Sequence, residues 1–122
     1  MTRERLSLGR RGEELACAYL QSCGYKIIER NYRSRLGEID LIAEEAGVLV
    51  FVEVKTRSNL NFGHPLEGIG PLKRRKIVVV AQEYLASTNR VDINCRFDAV
   101  SVLVEKGKDP EIEIVVNAFE LK

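Results

Sequence analysis

The stretch GEIDLIAEEAGVLVFVEVKTR, residues 37–57, carries the pattern that decides the fold. It predicts a hairpin of two strongly apolar β-strands that turns near EEAG. The apolar side chains of its second strand fall on two faces: Val48, Val50, Val52 and Val54 on one, Leu49 and Phe51 on the other. Such a strand is typically central in a sheet and covered on both sides. The charged residues Asp40, Glu53 and Lys55 therefore lie where the pattern predicts a dry interior.

The register of the hairpin decides whether the two acids meet. If the turn residues are Ala46 and Gly47, Asp40 and Glu53 are directly opposed. A four-residue loop puts Asp40 opposite Phe51 instead, diagonal to Glu53 and still on its face. Directly opposed residues have Cβ atoms about 4.5 to 5.5 Å apart. Two carboxylates that close repel each other unless a cation or a proton lies between them.

The two acids and the lysine together suit metal-dependent hydrolysis. Oxygen ligands on opposed short side chains are suited to Mg²⁺ or Mn²⁺, which bind few carboxylates and keep several waters. Lys55 shares the face of Glu53, so it can hold an attacking water or stabilise charge on a phosphate. The alternative is a cross-strand salt bridge of Lys55 with either acid, although two acids and one base leave a charge unbalanced.

The rest of the chain predicts two helices and three more strands. A first helix over GRRGEELACAYLQSCG ends at Gly24, and a second begins at Pro71. Their apolar stripes are Leu15, Ala16, Tyr19, Leu20 and Cys23 in the first helix, and Ile77, Val80, Ala81, Tyr84 and Leu85 in the second. The other strands are YKIIERNYRS, CRFDAVSVLVE and EIEIVVN. The order α-β-β-β-α-β-β predicts one α/β domain, residues 1–122, with a mixed sheet of about five strands flanked by helices.

Composition limits the class of protein and its location. With 122 residues and a net charge of +1, the chain has no global basic field, so any nucleic-acid contact must rest on local patches. The three cysteines, Cys17, Cys23 and Cys95, lack zinc-type spacing and are expected to be small buried residues in a reducing compartment. The first residues lack an apolar signal region, and no run is long enough to span a membrane. We therefore expect a cytoplasmic protein.

Basic residues form local clusters beside these elements. The cluster KRRK, residues 73–76, opens the second helix, where positive charge opposes the helix dipole, so a bound anion would relieve the misfit. Lys73, Lys76, Arg57 and Arg33 are the candidate contacts to a nucleic-acid backbone, which would position a substrate without reading its sequence. The alternative is that these charges only solvate the surface.

Two further residues have competing interpretations. Asp98 is expected to pair with an arginine rather than support the site. A Gly-, Pro- and Asn-rich loop over 58–70 contains the single histidine, His64, whose position is expected to be incidental.

The order of motifs resembles a known group of nucleases. Asp40, twelve residues and then Glu53-Val54-Lys55 resembles the catalytic core of the PD-(D/E)xK nuclease superfamily, with Ile39 in place of the proline. The blocks GRRGEELACAYLQSCGY, RNYRSRLGEIDLIA, VFVEVKTRSNLNFGHP, CRFDAV and NAF resemble the YraN-like family of uncharacterised bacterial proteins. That family is itself similar to archaeal Holliday-junction resolvases, and the resemblance covers nearly the whole chain.

The resemblance implies a restriction-endonuclease-like fold and a role for each site residue. Asp40 and Glu53 would ligate Mg²⁺ or Mn²⁺ through their side chains and Val54 through its carbonyl oxygen, while Lys55 would orient the water. Glu13, at the edge of the first helix stripe, would match an acid that approaches the metal; the alternative is an acid favoured by the helix dipole. Its neighbour Glu14 is expected at the surface.

The expected function is that of a metal-dependent endonuclease-like protein acting on DNA, with branched DNA as a candidate substrate. A nucleic-acid-binding module with little turnover is the alternative, and a structural protein without nucleic acid is the third. Symmetric cutting of two strands would suit a homodimer.

Overall fold

Five strands form one mixed sheet with a helix on each face in the computed structural model, which describes residues 3–58, 69–90 and 92–119. The elements are helix α1 (Arg3–Ser22), strands β1 (Lys26–Ser34), β2 (Gly37–Glu45) and β3 (Val48–Arg57), helix α2 (Pro71–Ser87), and strands β4 (Cys95–Leu103) and β5 (Glu111–Phe119). The strands lie in chain order, with β3 and β4 parallel and the other neighbours antiparallel. The predicted element order and the restriction-endonuclease-like α/β class are confirmed.

The turn between β2 and β3 fixes the register of the central hairpin. Ala46 and Gly47 both have positive φ, 52° and 81°, which is the combination that a type I′ turn requires. Glu45 consequently pairs with Val48, and the ladder continues to Leu41 and Val52. The two-residue turn that the sequence allowed is the one present.

The two faces of β3 pack on different helices. Val50 and Val52 lie in a cluster with Ala16 and Leu20 of α1. Leu49 and Phe51 lie in a second cluster with α2, whose buried residues are Ile77, Val80, Ala81 and Tyr84. Strand β3 is therefore covered on both sides, as its continuous apolarity predicts.

The C-terminal end of α1 departs from the predicted stripe. Tyr19 is 40% exposed and Cys23 is exposed. The helix ends at Ser22, and the N–H of Tyr25 donates to Leu20 O at 3.0 Å after a left-handed Gly24. This turn places Tyr25 in the cluster with Leu20, so Tyr25 fills the position expected for Cys23.

The cysteine expectation holds only in part, since Cys17 is buried whereas Cys95 is half-buried and Cys23 is exposed. The predicted loop with His64 falls mostly on residues 59–68, outside the described residues. In the described ranges no helix has the length and apolarity needed to cross a membrane.

Candidate metal centre

Asp40 and Glu53 lie where β2 and β3 separate. The antiparallel pairing of these strands ends at Leu41 and Val52, and one further step of the same register places Asp40 opposite Glu53. Beyond that point a side chain replaces the backbone as hydrogen-bond acceptor, because the N–H of Val54 donates to Asp40 Oδ2 at 2.8 Å. Glu53 is buried, with 5% of its surface exposed, whereas Asp40 keeps partial exposure. The two acids thus face each other at the opening between two central strands.

The carbonyl of Val54 points to the same opening. On the β4 side, the N–H of Leu49 donates to Asn94 O, and the carbonyl of Arg57 accepts from the N–H of Val104. Odd-numbered residues of β3 therefore direct their backbone polar groups to β4. Val54 is even-numbered, and its N–H reaches Asp40. Since the N–H and C=O of one strand residue point to the same side, the Val54 carbonyl also faces the side of Asp40.

Helix α1 brings Glu13 to the site through a close approach at Gly12. A Cβ on Gly12 would lie 1.8 Å from Thr56 Oγ1, so only glycine permits this distance between α1 and β3. Glu13 is consequently half-buried, whereas Glu14 is exposed as expected.

The site also contains Asn31 and Glu38, which the sequence did not predict. The side-chain amide of Asn31 is assigned the orientation in which its NH₂ group faces the two acids. In this orientation it donates to Glu13 Oε2 at 3.1 Å and to Glu38 Oε1 at 3.0 Å. Asn31 has φ 52°, and it sits in β1 beyond a register shift between Ile27 and Glu29. Asparagine tolerates this left-handed conformation better than most residues, and a lone Asn within a strand pattern is the signal that was available.

The cation paired with Glu53 comes from α2. Lys73 Nζ lies 2.5 Å from Glu53 Oε1, so among the described residues Glu53 pairs with Lys73 and not with Lys55, the partner that the salt-bridge alternative proposed. The two side chains border a cleft of about 570 Å³ at the start of α2. Its lining comprises Glu38, Asp40, Glu53, Gly70, Pro71, Leu72, Lys73, Lys76 and Ile77.

Crowding of the acids shifts their proton affinities. Burial, reinforced by the charges of Glu53 and Glu13, raises the pKa of Asp40 to about 8, although the Val54 N–H and Lys73 oppose the shift. Burial also raises the pKa of Glu13, with Glu38 and Glu53 adding to the effect and Asn31 opposing it. Burial lowers the pKa of Lys73, but its hydrogen bond and charge contact with Glu53 outweigh that and leave it raised.

This donor set fits a hard divalent cation. The opposed acids repel, the carbonyl of Val54 points between the strands, and all the donors are oxygens. The described residues include no ready-made group of three His, Cys, Asp or Glu side chains around a metal position. Mg²⁺ and Mn²⁺ suit such a site, because Mg²⁺ usually binds one or two carboxylates and keeps several waters. Asp40, Glu53 and the Val54 carbonyl would hold the ion.

The other predicted residues lie around this cleft. Lys55 is half-buried on β3, one pleat beyond Glu53, and pairs with Ser101 of β4 in the parallel register. Arg33 Nε lies 3.5 Å from Glu38 Oε2, at the edge of the acidic group. Lys76 is exposed and lines the cleft, and Arg57 ends β3. The catalytic and nucleic-acid roles of these residues stay predictions.

Asp98 belongs to a separate and structural network. It is fully buried, and it accepts hydrogen bonds from Tyr25 Oη at 2.8 Å, Arg96 Nε at 2.9 Å and Asn117 N–H at 2.9 Å. Arg96 also bonds Glu45 at 2.9 Å. The expected pairing of Asp98 with an arginine is therefore present.

In the described residues, a five-stranded mixed sheet with a helix on each face carries two opposed acids where its strands β2 and β3 separate. This arrangement defines a restriction-endonuclease-like domain. The chain belongs to the family described as Uncharacterised protein family UPF0102, whose model matches residues 12–102. This membership confirms the YraN-like family that the sequence motifs indicated.

Relatives in this family match nearly the full chain. The UPF0102 protein of Rhodococcus opacus is 48% identical over 114 residues, which cover 93% of this chain and 97% of the relative. The relative from Geobacter sulfurreducens is 45% identical over 93% of this chain and 89% of its own length. That from Desulforamulus reducens is 44% identical over 98% of this chain and its entire length.

Proposed function

We propose that this protein is a Mg²⁺- or Mn²⁺-dependent endonuclease that hydrolyses phosphodiester bonds in DNA. The observation that carries the proposal is the opposition of Asp40 and Glu53 at the end of the β2–β3 ladder, beside the backbone of Val54. A purely structural pair of residues would be expected to carry opposite charges here. Repelling acids are retained where their repulsion serves to attract a cation.

Each residue of the site has a distinct part in this chemistry. A bound divalent cation would polarise a phosphoryl oxygen and lower the pKa of a water. Asp40, Glu53 and the Val54 carbonyl would hold that ion, and Lys55 would orient the attacking water. Asn31 keeps Glu13 and Glu38 in place through its two hydrogen bonds, so Glu13 stays directed toward the acids of the sheet.

The test is cleavage of linear, flapped and four-way DNA in Mn²⁺ or EDTA. We expect Mn²⁺-dependent cleavage that is lost in Asp40→Asn, Glu53→Gln and Lys55→Ala. Glu13→Gln and Glu14→Gln form a matched pair on one helix, and only the first should reduce the rate. Full cleavage by Glu53→Gln, purified by the same route, would reject the assignment.

A nucleic-acid-binding module with little turnover is the second candidate. The observation that favours it is the ion pair of Lys73 with Glu53, which already neutralises one of the acids within the protein. Salt-dependent DNA binding by wild type without cleavage in Mn²⁺ would select this candidate.

A further inference from the structure

The start of α2 concentrates positive charge where a helix disfavours it. Gly70 provides no side-chain cap, and the first turn has no acidic residue. The partial positive charge of the helix end therefore adds to the charges of Lys73 and Arg74. Arg74 is held by Ile69 O at 2.9 Å and lies over the ring of Phe119. Lys73 instead extends across the cleft to Glu53.

We infer that Lys73 is an exchangeable counter-ion: its ammonium neutralises Glu53 in the metal-free protein, a divalent cation displaces it, and the freed ammonium then binds a substrate phosphate in the cleft. This inference rests on the proposed function, since it concerns the same acids. It adds a coupling between metal binding and DNA binding that passes through one side chain.

The burial of Glu53 explains why an internal cation is needed. With 5% of its side chain exposed, an ionised Glu53 without a partner would lose most of its hydration. Lys73 remedies this at little structural cost, because its side chain is 45% exposed and leaves from the first turn of the helix. The lysine can therefore turn away without any change in the core.

A divalent cation and the ammonium compete for the same carboxylate. An ion liganded by Glu53 and Asp40 places two positive charges beside the Lys73 ammonium and repels it. The lysine then faces the cleft that Lys76 also lines, next to the N-terminal end of α2, where a phosphate is favoured. Because coupling is reciprocal, DNA that captures Lys73 should also strengthen metal binding.

The first test measures Mn²⁺ affinity by calorimetry in the absence of DNA. Lys73→Met removes the competing charge and keeps the apolar stem, so we expect the Mn²⁺ affinity to rise about two- to fivefold, as expected for a partly exposed ion pair. Lys73→Arg should retain wild-type affinity. Lys76→Met is the matched control, since Lys76 lies one turn later on the same cleft, and its affinity should change less than twofold.

The second test measures how the affinity for a short DNA duplex depends on salt, in Ca²⁺ and in EDTA. Ca²⁺ prefers the same oxygen ligands. Lys73→Met should reduce the salt slope by about one in Ca²⁺ and leave it unchanged in EDTA, because Glu53 holds the lysine when metal is absent. Lys76→Met should reduce the slope equally in both buffers.

The outcomes separate the two proposals. Wild type that binds no Mn²⁺ would reject the metal centre and the proposed function with it. Wild type that binds Mn²⁺ as tightly as Lys73→Met would reject the exchange alone and leave the nuclease proposal standing. An equal loss of slope for Lys73→Met in Ca²⁺ and EDTA would also reject it, since the lysine would then contact DNA whether or not metal is bound.

Discussion

The same sheet holds two aspartates in opposite ways. Asp98 has no exposed surface, and a hydroxyl, a guanidinium and a backbone N–H satisfy its oxygens. Asp40 accepts a hydrogen bond from the Val54 N–H and shares its surroundings with Glu53 and Glu13. One carboxylate is neutralised within the fold, whereas the other lies beside two further acids.

The two aspartates differ in their partners more than in their burial. Asp98 closes a network that ties Tyr25 after α1 to the irregular part of β5 at Asn117, so its charge serves the fold. Asp40 accepts one backbone hydrogen bond, from the Val54 N–H of the neighbouring strand β3, which an asparagine could equally accept. Folding therefore does not depend on a negative charge at this position.

The largest expected effect is the loss of the structural acid. Asp98→Ala should cost about 3 to 5 kcal/mol in the free energy of unfolding, because it leaves Arg96 and the Asn117 N–H without their buried partner. Urea unfolding measures it. Glu45→Ala removes the half-exposed partner of the same Arg96 and should cost about 1 kcal/mol or less. Equal losses in the two variants would mean that Asp98 contributes no more to the stability of the fold than Glu45 does.

Metal should stabilise the protein through Asp40 and not through Asp98. Mn²⁺ at a hundred times its dissociation constant should raise the free energy of unfolding of wild type by about 2.7 kcal/mol. Asp40→Asn should gain little from Mn²⁺, since it lacks one ligand. Thermal melts with Mn²⁺ and with EDTA measure both, and an identical gain in Asp40→Asn would place the ion elsewhere.

Overpacking at Gly12 tests the approach of α1 to the site. Gly12→Ala should cost about 1 to 3 kcal/mol and reduce cleavage, because the new Cβ overlaps Thr56 and pushes Glu13 away. Gly9→Ala is the control on the same helix: none of the residues that the structure describes comes within 4 Å of a Cβ added there, so stability should rise by about 0.5 to 1 kcal/mol. Adding Thr56→Ala to Gly12→Ala should recover part of the loss. No recovery would show that the contact with Thr56 is not the cause.

The smallest effect is the pH dependence of the metal-free protein. The pKa of Asp40 is raised to about 8 in the folded state, against about 3.9 in the unfolded chain. The folded protein thus keeps a proton that the unfolded chain has released, so this contribution is complete below about pH 4 and is lost as the pH rises toward 8.

Between pH 5 and 6 in EDTA, wild type should therefore lose about 1.4 kcal/mol relative to Asp40→Asn, because the unfolded chain binds about one proton fewer than the folded protein over that range. Urea unfolding of both proteins at matched pH gives the difference directly. A difference that stays constant with pH would mean that Asp40 is ionised throughout.

The sequence predicted those parts of the fold that depend on periodicity. The two-sided apolarity of β3, the Ala46-Gly47 turn and Pro71 at the start of α2 are local signals, and each is found where expected. The opposition of Asp40 and Glu53 followed from the turn, because side chains alternate strictly along a strand.

The remainder of the site depends on contacts between distant elements. Asn31 adopts a left-handed conformation within β1 that directs its amide to Glu13 and Glu38, and strand periodicity does not show that irregularity, which only the residue type indicates. The basic start of α2 indicated that an anion was needed there. The anion is Glu53, twenty residues earlier in the chain, and only the packing of α2 on β3 brings it to Lys73.

The short turn at Ala46 and Gly47 makes the site sensitive to chain length far from its chemistry. Most substitutions in that turn would change its strain and leave the register intact. An insertion of one residue that the turn does not absorb as a three-residue loop would shift one strand against the other, so either Asp40 or Glu53 would move to the opposite face, together with its apolar neighbours. An insertion of two residues preserves the alternation. A change of length in this turn therefore leaves both acids on one face only when the shift between the strands is even or when a longer loop absorbs it.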